Sequence, residues 1–257
     1  MEVKDKTIVV TGAASGIGRA LCERFKEEGA TNIVAVDLNI EGAQATAKNL
    51  DCVAMKADVS IEADIENIIE TTERDIGPID LFCSNAGVGL GPSLDSPDVE
   101  WQTSWDVNVM SHLYAARHLV PRMIERGGGY FMNTSSAAGL LNQIGGAAYG
   151  TTKHAAVGFG EWLALTYAHQ GIKVSMLCPQ AVRTAMTATE NVSTRAAAGD
   201  GMMEPEVLAE HVVAGLREES FLILPHDDVR EYMRRKTADY DRWIGGMNRL
   251  QQRIAGA

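Results

Sequence analysis

The stretch that decides the fold is TIVVTGAASGIG, residues 7–18. Its first five residues form an apolar, β-branched run that predicts a buried strand. A loop with glycines at 12, 16 and 18 follows, and residues 18–28 have a helical pattern. Glycines allow a tight turn and a close approach to a pyrophosphate, which free N–H groups at the start of the helix can bind. Taken alone, the loop is equally compatible with an ordinary tight turn.

The rest of the chain continues this alternation of short apolar runs and helical stretches. The predicted strands are residues 7–11, 32–37, 52–56, 79–84, 130–134, 173–178 and 221–224. The predicted helices include residues 18–28, 41–49, 61–75, 105–126, 149–169 and 205–218. Strands separated by helices form parallel sheets with helices on both faces. The sequence therefore predicts an α/β fold of the Rossmann type: one three-layer, doubly wound domain over residues 1–257, with a seven-stranded parallel sheet.

Polar and glycine-rich residues follow the predicted strands, whereas the opposite edge of the sheet carries mainly short joints. The residues that follow the strands are 12–18, Asp37, Asp58, Asn85-Ala86-Gly87, Ser135-Ser136 and Pro179-Gln180. In open parallel sheets, ligands bind at the carboxyl ends of the strands. The asymmetry therefore favours a binding site at this edge.

Asp37 ends the second predicted strand, 19 residues after Gly18. This is close to the spacing of about 20 at which a carboxylate reaches the adenosine ribose hydroxyls of a dinucleotide. A solvated strand-end carboxylate is the alternative, which the joint spacing disfavours. A carboxylate there repels a 2′-phosphate, and neither Ser15 nor Leu38 supplies a basic residue for one. The sequence therefore predicts NAD rather than NADP.

A candidate catalytic group occurs later in the chain. Tyr149 and Lys153 are four residues apart on a predicted helix and so share one face. A free tyrosine has a pKa of about 10, and a nearby cation favours its phenolate. Ser136 ends a strand 13 residues before the tyrosine and can donate to the same substrate oxygen, whereas its neighbour Ser135 is expected to be structural.

These motifs, in this order, resemble the short-chain dehydrogenase/reductase family over roughly residues 5–225. They are Thr11-Gly12-x3-Gly16-Ile17-Gly18, Asp58-Val59, Asn85-Ala86-Gly87, Asn108, Ser136, Tyr149-x3-Lys153 and Pro179. The resemblance implies that Tyr149 is the acid/base, that Ser136 holds the substrate oxygen, and that Lys153 binds the nicotinamide ribose and lowers the tyrosine pKa. It also implies that Asn108 bends its helix and holds a proton-relaying water.

The resemblance further implies a set of NAD-binding residues. Asp58 and Val59 would contact the adenine, residues 85–87 the wall of the cofactor site, and Val182 and Thr184 the carboxamide. The full set is Gly12, Ser15, Gly16, Ile17, Gly18, Asp37, Leu38, Asp58, Val59, Asn85, Ala86, Gly87, Tyr149, Lys153, Pro179, Val182 and Thr184. No metal site is expected.

The sequence departs from the family pattern at two positions. Ser84 stands where an asparagine is usual before Asn85, a change that should leave the turn intact. Gln180 stands where a glycine is usual after Pro179. This second change adds an amide near the substrate and bears on the substrate class more than on the chemistry.

The expected substrate segments are mostly apolar. Residues 185–203 are expected to form a lid containing Met186, Met202 and Met203, and residues 88–90 and 139–144 are also expected to line the pocket. We therefore expect hydride transfer between NAD(H) and a hydrophobic secondary alcohol or ketone, hydroxysteroid-like or aromatic. A 3-hydroxyacyl thioester is the alternative substrate. A nucleotide-sensing regulator without turnover is the alternative from a different class, although it would have no use for the serine, tyrosine and lysine together.

Residues 226–257 extend beyond the family core with an amphipathic pattern. They predict a helix or a pair of helices with a kink or break at Gly245-Gly246. Packing on the same subunit is one expectation for this extension, and a lid or a contact between subunits is the other. The family resemblance also implies a homotetramer or dimer formed through the helices that carry Asn108 and Tyr149.

Composition narrows the remaining function classes. The chain has 23 basic and 34 acidic residues, a net charge of −11, which disfavours nucleic acid and anionic membrane surfaces as partners. Four scattered cysteines, without metal-ligand spacing, predict reduced thiols in the core. No signal-like or membrane-spanning stretch is recognisable, so a soluble cytoplasmic protein is expected.

Overall fold

The computed structural model describes residues 1–256. Within those residues, seven parallel strands form one sheet in the order β3-β2-β1-β4-β5-β6-β7. The strands are β1 (Thr7–Thr11), β2 (Asn32–Asp37), β3 (Val53–Lys56), β4 (Leu81–Ser84), β5 (Gly129–Thr134), β6 (Ile172–Leu177) and β7 (Leu222–Ile223). This order confirms the predicted doubly wound Rossmann fold in a single domain.

Helices cover both faces of the sheet. They are α1 (Gly16–Glu27), α2 (Ile40–Leu50), α3 (Glu62–Asp75), α4 (Asp98–Trp105), α5 (Ser111–Glu125), α6 (Ala138–Leu141), α7 (Ala147–Tyr167), α8 (Val192–Ala197), α9 (Pro205–Glu218), α10 (Asp228–Ala238) and α11 (Tyr240–Ala255). Short 3₁₀ turns at Ala168–Gln170 and Ala185–Thr187 and a π-helical turn at Asp106–Met110 complete the regular structure.

The central strand β1 shows why the core has two halves. Successive strand residues point to opposite faces, so Ile8 and Val10 pack into one buried layer and Val9 into the other. The first layer includes Phe25 of α1, and the second includes Leu119 of α5. Because β1 is buried on both faces, its continuous apolar run is the pattern expected of an interior parallel strand.

Observed and predicted elements differ mainly at their ends. The strands begin or end within two residues of the predicted bounds. Helix α4 was not predicted, and the predicted helix 105–126 is divided by the π-helical turn that contains Asn108. A π-helical turn is a recognised cause of bending, so the bend predicted at Asn108 has a local cause and stays a prediction.

The C-terminal extension forms two helices, but the predicted break at Gly245-Gly246 is wrong. Helix α11 runs through both glycines, and the chain instead breaks at Asp239. Asp239 is extended (φ −156°), and its carboxylate accepts a hydrogen bond from the backbone N–H of Arg242 at 3.0 Å. An interior glycine costs a helix only about 1 kcal/mol relative to alanine. The capping aspartate therefore decides where α10 ends and α11 begins.

The four cysteines are free, as predicted. Cys22, Cys83 and Cys178 are buried, and Cys52 is half-buried. No helix in the described part of the chain combines the length and hydropathy needed to cross a membrane.

Candidate active site

A cleft of about 440 Å³ lies at the carboxyl ends of the central strands. All the residues that the sequence predicts to contact a cofactor line this cleft. They are Gly12, Ser15, Gly16, Ile17, Gly18, Asp37, Leu38, Asp58, Val59, Asn85, Ala86, Gly87, Tyr149, Lys153, Pro179, Val182 and Thr184. The fold thus brings together positions that are spread from Gly12 to Thr184 in the sequence.

The glycine loop requires glycine for two different reasons. Gly12 and Gly16 have φ of +71° and +52°, in the left-handed region that side chains disfavour. Gly18 has no such torsion, but a Cβ there would collide with the carbonyl oxygen of Gly12. A Cβ on Gly12 would lie 3.0 Å from the Cα of Ala86. The loop therefore folds tightly onto itself and onto the segment after β4, leaving a surface of exposed backbone facing the cleft.

Asp37 is held in a fixed orientation at the end of β2. One carboxylate oxygen accepts a hydrogen bond from the N–H of Ala14 and the other from the N–H of Asn39, each at 2.9 Å. Among the described residues that line the cleft, Lys153 is the only lysine or arginine. The Asp37 end of the cleft is therefore lined by no lysine or arginine in the described part of the chain.

The segment after β4 is hydrogen-bonded to the two neighbouring strands, β1 and β5. The N–H of Asn85 donates to Thr11 Oγ1 at 2.9 Å, and its Nδ2 donates to the Thr11 carbonyl at 3.0 Å. Its Oδ1 accepts from Thr134 Oγ1 at 3.1 Å. The turn is intact, as expected despite Ser84, whose buried Oγ has no hydrogen-bond partner among the described residues.

Tyr149 and Lys153 share one face of α7, as the spacing predicts. The Lys153 Nζ lies 5.7 Å from the centroid of the Tyr149 ring and donates to the carbonyl oxygen of Thr134 at 3.0 Å. Ser136 lies beside the tyrosine at the end of β5, and both line the cleft. Ser135 instead donates to the Lys153 carbonyl at 2.9 Å, so it fixes α7 against β5.

Burial is the largest influence on the pKa values of Tyr149 and Lys153. It raises the pKa of the Tyr149 phenol, and a hydrogen bond with Ser136 offsets part of that effect. It also lowers the pKa of the Lys153 ammonium to about 8. Desolvation is thus the largest influence on the tyrosine pKa in the chain on its own, and the expectation that Lys153 lowers this pKa stays a prediction.

Asn108 lies behind this group and does not line the cleft. Its Oδ1 accepts from the N–H of Val88 at 2.9 Å, and its Nδ2 donates to the Val88 carbonyl at 3.0 Å and to Thr152 Oγ1 at 3.1 Å. A Cβ on Gly87 would lie 3.2 Å from both Asn108 Oδ1 and Lys153 Nζ. Asn108 thus joins the π-helical turn to α7 and to the segment after β4, while the proposed water stays a prediction.

His112 is a buried group that the sequence analysis missed. It lies one turn after Asn108, and neither ring nitrogen has a hydrogen-bond partner among the described residues. Burial, together with the charge of Lys153, lowers the pKa of His112 to about 3, so the ring is neutral at physiological pH. Its position on the buried stripe of α5 gives no sequence signal that separates it from a core residue.

A larger cavity of about 980 Å³ adjoins the cleft. Its walls are formed by the segment after β4, by α6 and the loop after it, by residues 186–200, and by α10 and α11. Most of the lining surface is apolar, and Leu141, Ile144, Met186, Trp243 and Met247 are among its large side chains. The expected pocket segments and much of the expected lid therefore do face one cavity.

The C-terminal helices pack on their own chain and also form a wall of this cavity. Val229 of α10 is buried against Ala137 and Leu141, and Lys236 Nζ donates to the Leu140 carbonyl at 2.6 Å. On α11, the residues that line the cavity are Trp243, Met247, Leu250, Gln251, Ile254 and Ala255. The apolar stripe of the extension is thus directed into the cavity.

Five residues line both the cleft and the cavity, and so mark their junction. They are Ser136, Tyr149, Gln180, Met186 and Thr187. Tyr149 is therefore part of the wall of both the cleft and the cavity. Within the described residues, no cluster of three His, Cys, Asp or Glu side chains could hold a metal ion.

Comparisons with known proteins all point to dehydrogenases. The family model described as short chain dehydrogenase matches residues 6–194. The 1-deoxy-11-beta-hydroxypentalenate dehydrogenase of Streptomyces exfoliatus is 34% identical over 253 residues, which cover 95% of this chain and 91% of that protein. The 3beta-hydroxysteroid dehydrogenase 2 of Eggerthella lenta is 36% identical over 187 residues, 70% of this chain and 72% of that protein.

A solved structure gives the same likeness in three dimensions. A short chain dehydrogenase/reductase from Burkholderia phymatum, in complex with NAD, has a TM-score of 0.86 at 27% identity. The match covers 94% of this chain and 96% of that chain. The likeness in fold therefore extends over almost the whole molecule.

Proposed function

The chain belongs to the short-chain dehydrogenase/reductase family and is an oxidoreductase; on that premise we propose that it transfers hydride between NAD(H) and a hydrophobic secondary alcohol or ketone. One observation carries the proposal: Ser136 and Tyr149 lie where the cleft at the strand ends meets a larger, mostly apolar cavity. The names of two relatives specify a hydroxypentalenate and a hydroxysteroid, which supports a hydroxyl-bearing apolar substrate.

The residues of the cleft fit a dinucleotide. The backbone of the glycine loop would face the pyrophosphate, and the fixed carboxylate of Asp37 would accept hydrogen bonds from the adenosine ribose. Val182 and Thr184 would contact the carboxamide, and Lys153 the nicotinamide ribose. When bound, the nicotinamide would supply the hydride for ketone reduction and accept it in alcohol oxidation.

The hydroxyl groups at the junction would position the substrate oxygen and transfer its proton. Ser136 would donate a hydrogen bond to the substrate oxygen and hold it beside Tyr149. In ketone reduction, the Tyr149 phenol would give its proton to that oxygen, and in alcohol oxidation the phenolate would take the proton back. The positive charge of Lys153, which is almost completely buried, would stabilise the phenolate. Asn108 would keep α7 and the π-helical turn in register behind them.

The charge of the cleft favours NAD over NADP. Asp37 would repel a 2′-phosphate, and the cleft residues within the described chain offer no cation beside it. The structural neighbour from Burkholderia phymatum is a complex with NAD, which supports the same preference. We therefore propose NAD as the cofactor.

We also propose a homo-oligomer, a dimer or a tetramer, formed through the helices around Asn108 and Tyr149. Large apolar side chains are exposed on these helices: Trp162 is 50% exposed and Leu165 84% exposed on α7, and Trp105 at the end of α4 is 41% exposed. Helices α4 and α7 pack on one another, and exposed apolar patches mark interaction sites. Light scattering should give a mass of two or four chains, and the mass of one chain would contradict the proposal.

The function is tested with the purified protein and a panel of secondary alcohols. NAD and NADP are supplied separately with steroid, aromatic and aliphatic alcohols, and formation of the reduced nucleotide is followed by absorbance. We expect NAD-dependent turnover of an apolar alcohol. Turnover only of 3-hydroxyacyl thioesters would replace the substrate class, and NADH binding without any turnover would support a sensor. Better turnover with NADP would contradict the proposed cofactor.

A further inference from the structure

The C-terminal extension carries a lysine that is buried outside the active site. The buried residues of α10 are Val229 and Lys236. The burial of Val229 is ordinary apolar packing, whereas a buried ammonium is unfavourable unless it is hydrogen-bonded. Lys236 is 8% exposed, and it is not among the residues that line the cleft or the cavity. Its burial therefore indicates a role in holding α10 in place.

The Lys236 ammonium contacts three neighbouring helices. Its Nζ donates to the carbonyl oxygen of Leu140 in α6 at 2.6 Å, and it lies 3.5 Å from Nε2 of His154 on α7. It also lies 5.4 Å from the centroid of the Tyr240 ring, at the start of α11. Leu140 is in the last turn of α6, where carbonyl groups lack helical partners and a cation can satisfy them. One side chain thus joins α6, α7, α10 and α11.

The histidine of this contact has a defined tautomer. His154 Nδ1 lies 2.8 Å from the carbonyl oxygen of Gly150. A carbonyl oxygen can only accept, so Nδ1 carries the hydrogen, and in the neutral ring Nε2 has a lone pair that can accept from Lys236. A second proton on this ring would be on Nε2, facing the ammonium group.

The surroundings offer nothing that would compensate this second charge. Burial lowers the pKa of His154 below its ordinary value of 6.5, and the charge of Lys236 lowers it further, while the bond to the Gly150 carbonyl opposes both. Helix α6 has no ionisable side chain, and α11 contributes the Tyr240 ring. Neither Lys236 nor His154 forms an ion pair with a carboxylate of the described residues. A protonated His154 would therefore place two cations side by side.

This contact is at the end of α10 that leads into the cavity wall. Val229 holds the beginning of α10 against Leu141, and Lys236 holds its last turn against α6 and α7. Helix α11 follows directly, and its residues Trp243 and Met247 line the cavity. The position of this wall relative to α7, the helix that carries Tyr149, therefore depends on the Lys236 contact.

We propose that Lys236 and His154 are positioning residues that lock α10 and α11 onto α7, and that the lock weakens when His154 takes up a proton. This inference deepens the proposed function, because the locked helices form a wall of the proposed substrate cavity. Its consequences for substrate binding rest on that function. The docking of the helices does not, and it can be measured without turnover.

The direction of the pH effect follows from the protonation states. The docked helices require a neutral His154, whereas a histidine that has been released into water has an ordinary pKa of about 6.5. The docking equilibrium is therefore unaffected well above this pH. Below it, docking weakens by at most about tenfold for each pH unit, until the docked histidine is itself protonated.

Hydrogen exchange of the α10 and α11 amides tests the lock directly. Exchange is followed at about pH 7.5 and about pH 5.5 and corrected for the intrinsic dependence on pH. We expect the wild type to lose about threefold to tenfold in protection at the lower pH. His154→Gln can accept from Lys236 without titrating, so its protection should be the same at both values.

A matched control separates His154 from other histidines. His169 is exposed in the 3₁₀ turn that follows α7, and His169→Gln should retain the pH dependence of the wild type. Amides of β1 serve as an internal reference. Their protection should be equal in all variants, which shows that the loss is local to the terminal helices.

The lysine is tested by its effect on substrate binding. Lys236→Met keeps the length of the side chain but removes its charge and its hydrogen bonds, so protection of α10 and α11 should fall about tenfold at both pH values. The KM for a steroid alcohol should rise about threefold to tenfold, while kcat and the Kd for NADH stay within about twofold. Lys48→Met, at an exposed position on α2, should change none of these quantities.

The outcomes distinguish this inference from the proposed function. If protection in the wild type does not depend on pH, or if His154→Gln keeps the dependence, the inference is overturned and the function stands. If Lys236→Met does not fold, the comparison of wild type with His154→Gln still decides. If no alcohol is turned over, the proposed function fails, and hydrogen exchange still shows whether the lock exists.

Discussion

The cleft and the cavity meet at the same tyrosine, but they are built in different ways. The cleft is formed by backbone at the ends of strands, where sheet register fixes positions such as Gly12 and Asn85. The cavity is formed by loops and by helices that lie outside the core of the sheet, among them α6, α8, α10 and α11. One region is therefore set by the core of the fold, and the other by contacts between peripheral helices.

This difference indicates how the two regions can vary. A substitution in the cleft must leave close backbone contacts undisturbed, such as the one between Gly18 and Gly12. A change in the cavity has only to preserve packing between helices and a few hydrogen bonds, such as those to Asp200. Substrate choice can therefore alter while cofactor binding is retained, and substitutions in the two regions should affect different kinetic constants.

The largest effect is expected at the junction itself. Tyr149→Phe removes the proton donor and acceptor without changing the shape of either region, so kcat should fall about 10²–10⁴-fold. The Kd for NADH should stay within about twofold of the wild type. Tyr167→Phe at the end of α7, remote from the cleft, is the control. Retained activity in Tyr149→Phe would show that the assigned acid/base is wrong.

Lys153→Met should lower activity and raise stability. The buried ammonium has a pKa of about 8 against an ordinary value of 10.5, a cost on the order of 3 kcal/mol near pH 7. Loss of the bond to the Thr134 carbonyl offsets about 1 kcal/mol of the gain. The free energy of unfolding should therefore rise by about 2 kcal/mol, measured by urea denaturation.

The stability advantage of Lys153→Met over the wild type should also depend on pH. Between pH 8 and 10.5 the native lysine has released its proton and the unfolded one has not, so wild-type stability rises with pH. The advantage of Lys153→Met should therefore shrink from pH 7 to pH 10. Lys48→Met, at an exposed position on α2, should show neither effect. A constant advantage at all pH values would contradict a buried charge as the cause.

A change confined to the cleft should alter only the cofactor. Asp37→Ser combined with Leu38→Arg removes the repelling carboxylate and adds a cation, so kcat/KM with NAD should fall about 10–100-fold and that with NADP should rise. The KM for the alcohol should not move, because neither residue lines the cavity. A large shift in alcohol KM would show that the two regions are coupled.

A change confined to the cavity should have the smallest effect. Trp243→Ala removes a large apolar side chain from the α11 wall, and KM for a bulky alcohol should rise about tenfold, or about 1.4 kcal/mol. The Kd for NADH should be unchanged. Ile244→Ala is the matched control, since Ile244 is the next residue on α11 but is exposed and does not line the cavity.

The same contrast explains what could be predicted from the sequence. Positions in the cleft are identifiable because backbone geometry restricts them: Gly12 needs its positive φ, and Asp37 needs its spacing from Gly18. The sheet follows from the alternation of apolar runs and helices for the same reason. The glycine loop and Asp37 are therefore predictable from the sequence itself, whereas other cleft positions, such as Asp58 and Val182, rest on the family resemblance.

The cavity could be predicted only in its general character. The sequence marks Gln180 as unusual, but its partner Asp200 is 20 residues away and Tyr232, which contacts Asp200, is 52 residues away. No periodic pattern records contacts between such distant side chains. The break between α10 and α11 was misplaced for a related reason: a single capping carboxylate on Asp239 outweighs the weak helix propensity of two glycines.

The buried cysteines allow opening of the site to be measured without substrate. Cys83 lies in β4 just before the Asn85 turn, and Cys178 directly precedes Pro179. Burial raises the pKa of the Cys178 thiol to about 12 and that of Cys83 well above its usual range. Because only an accessible thiolate reacts, alkylation under native conditions must wait for local unfolding. The labelling rate at these two positions therefore gives the frequency with which each side of the sheet edge opens, and its slowing by NADH would give the binding energy that keeps that edge closed.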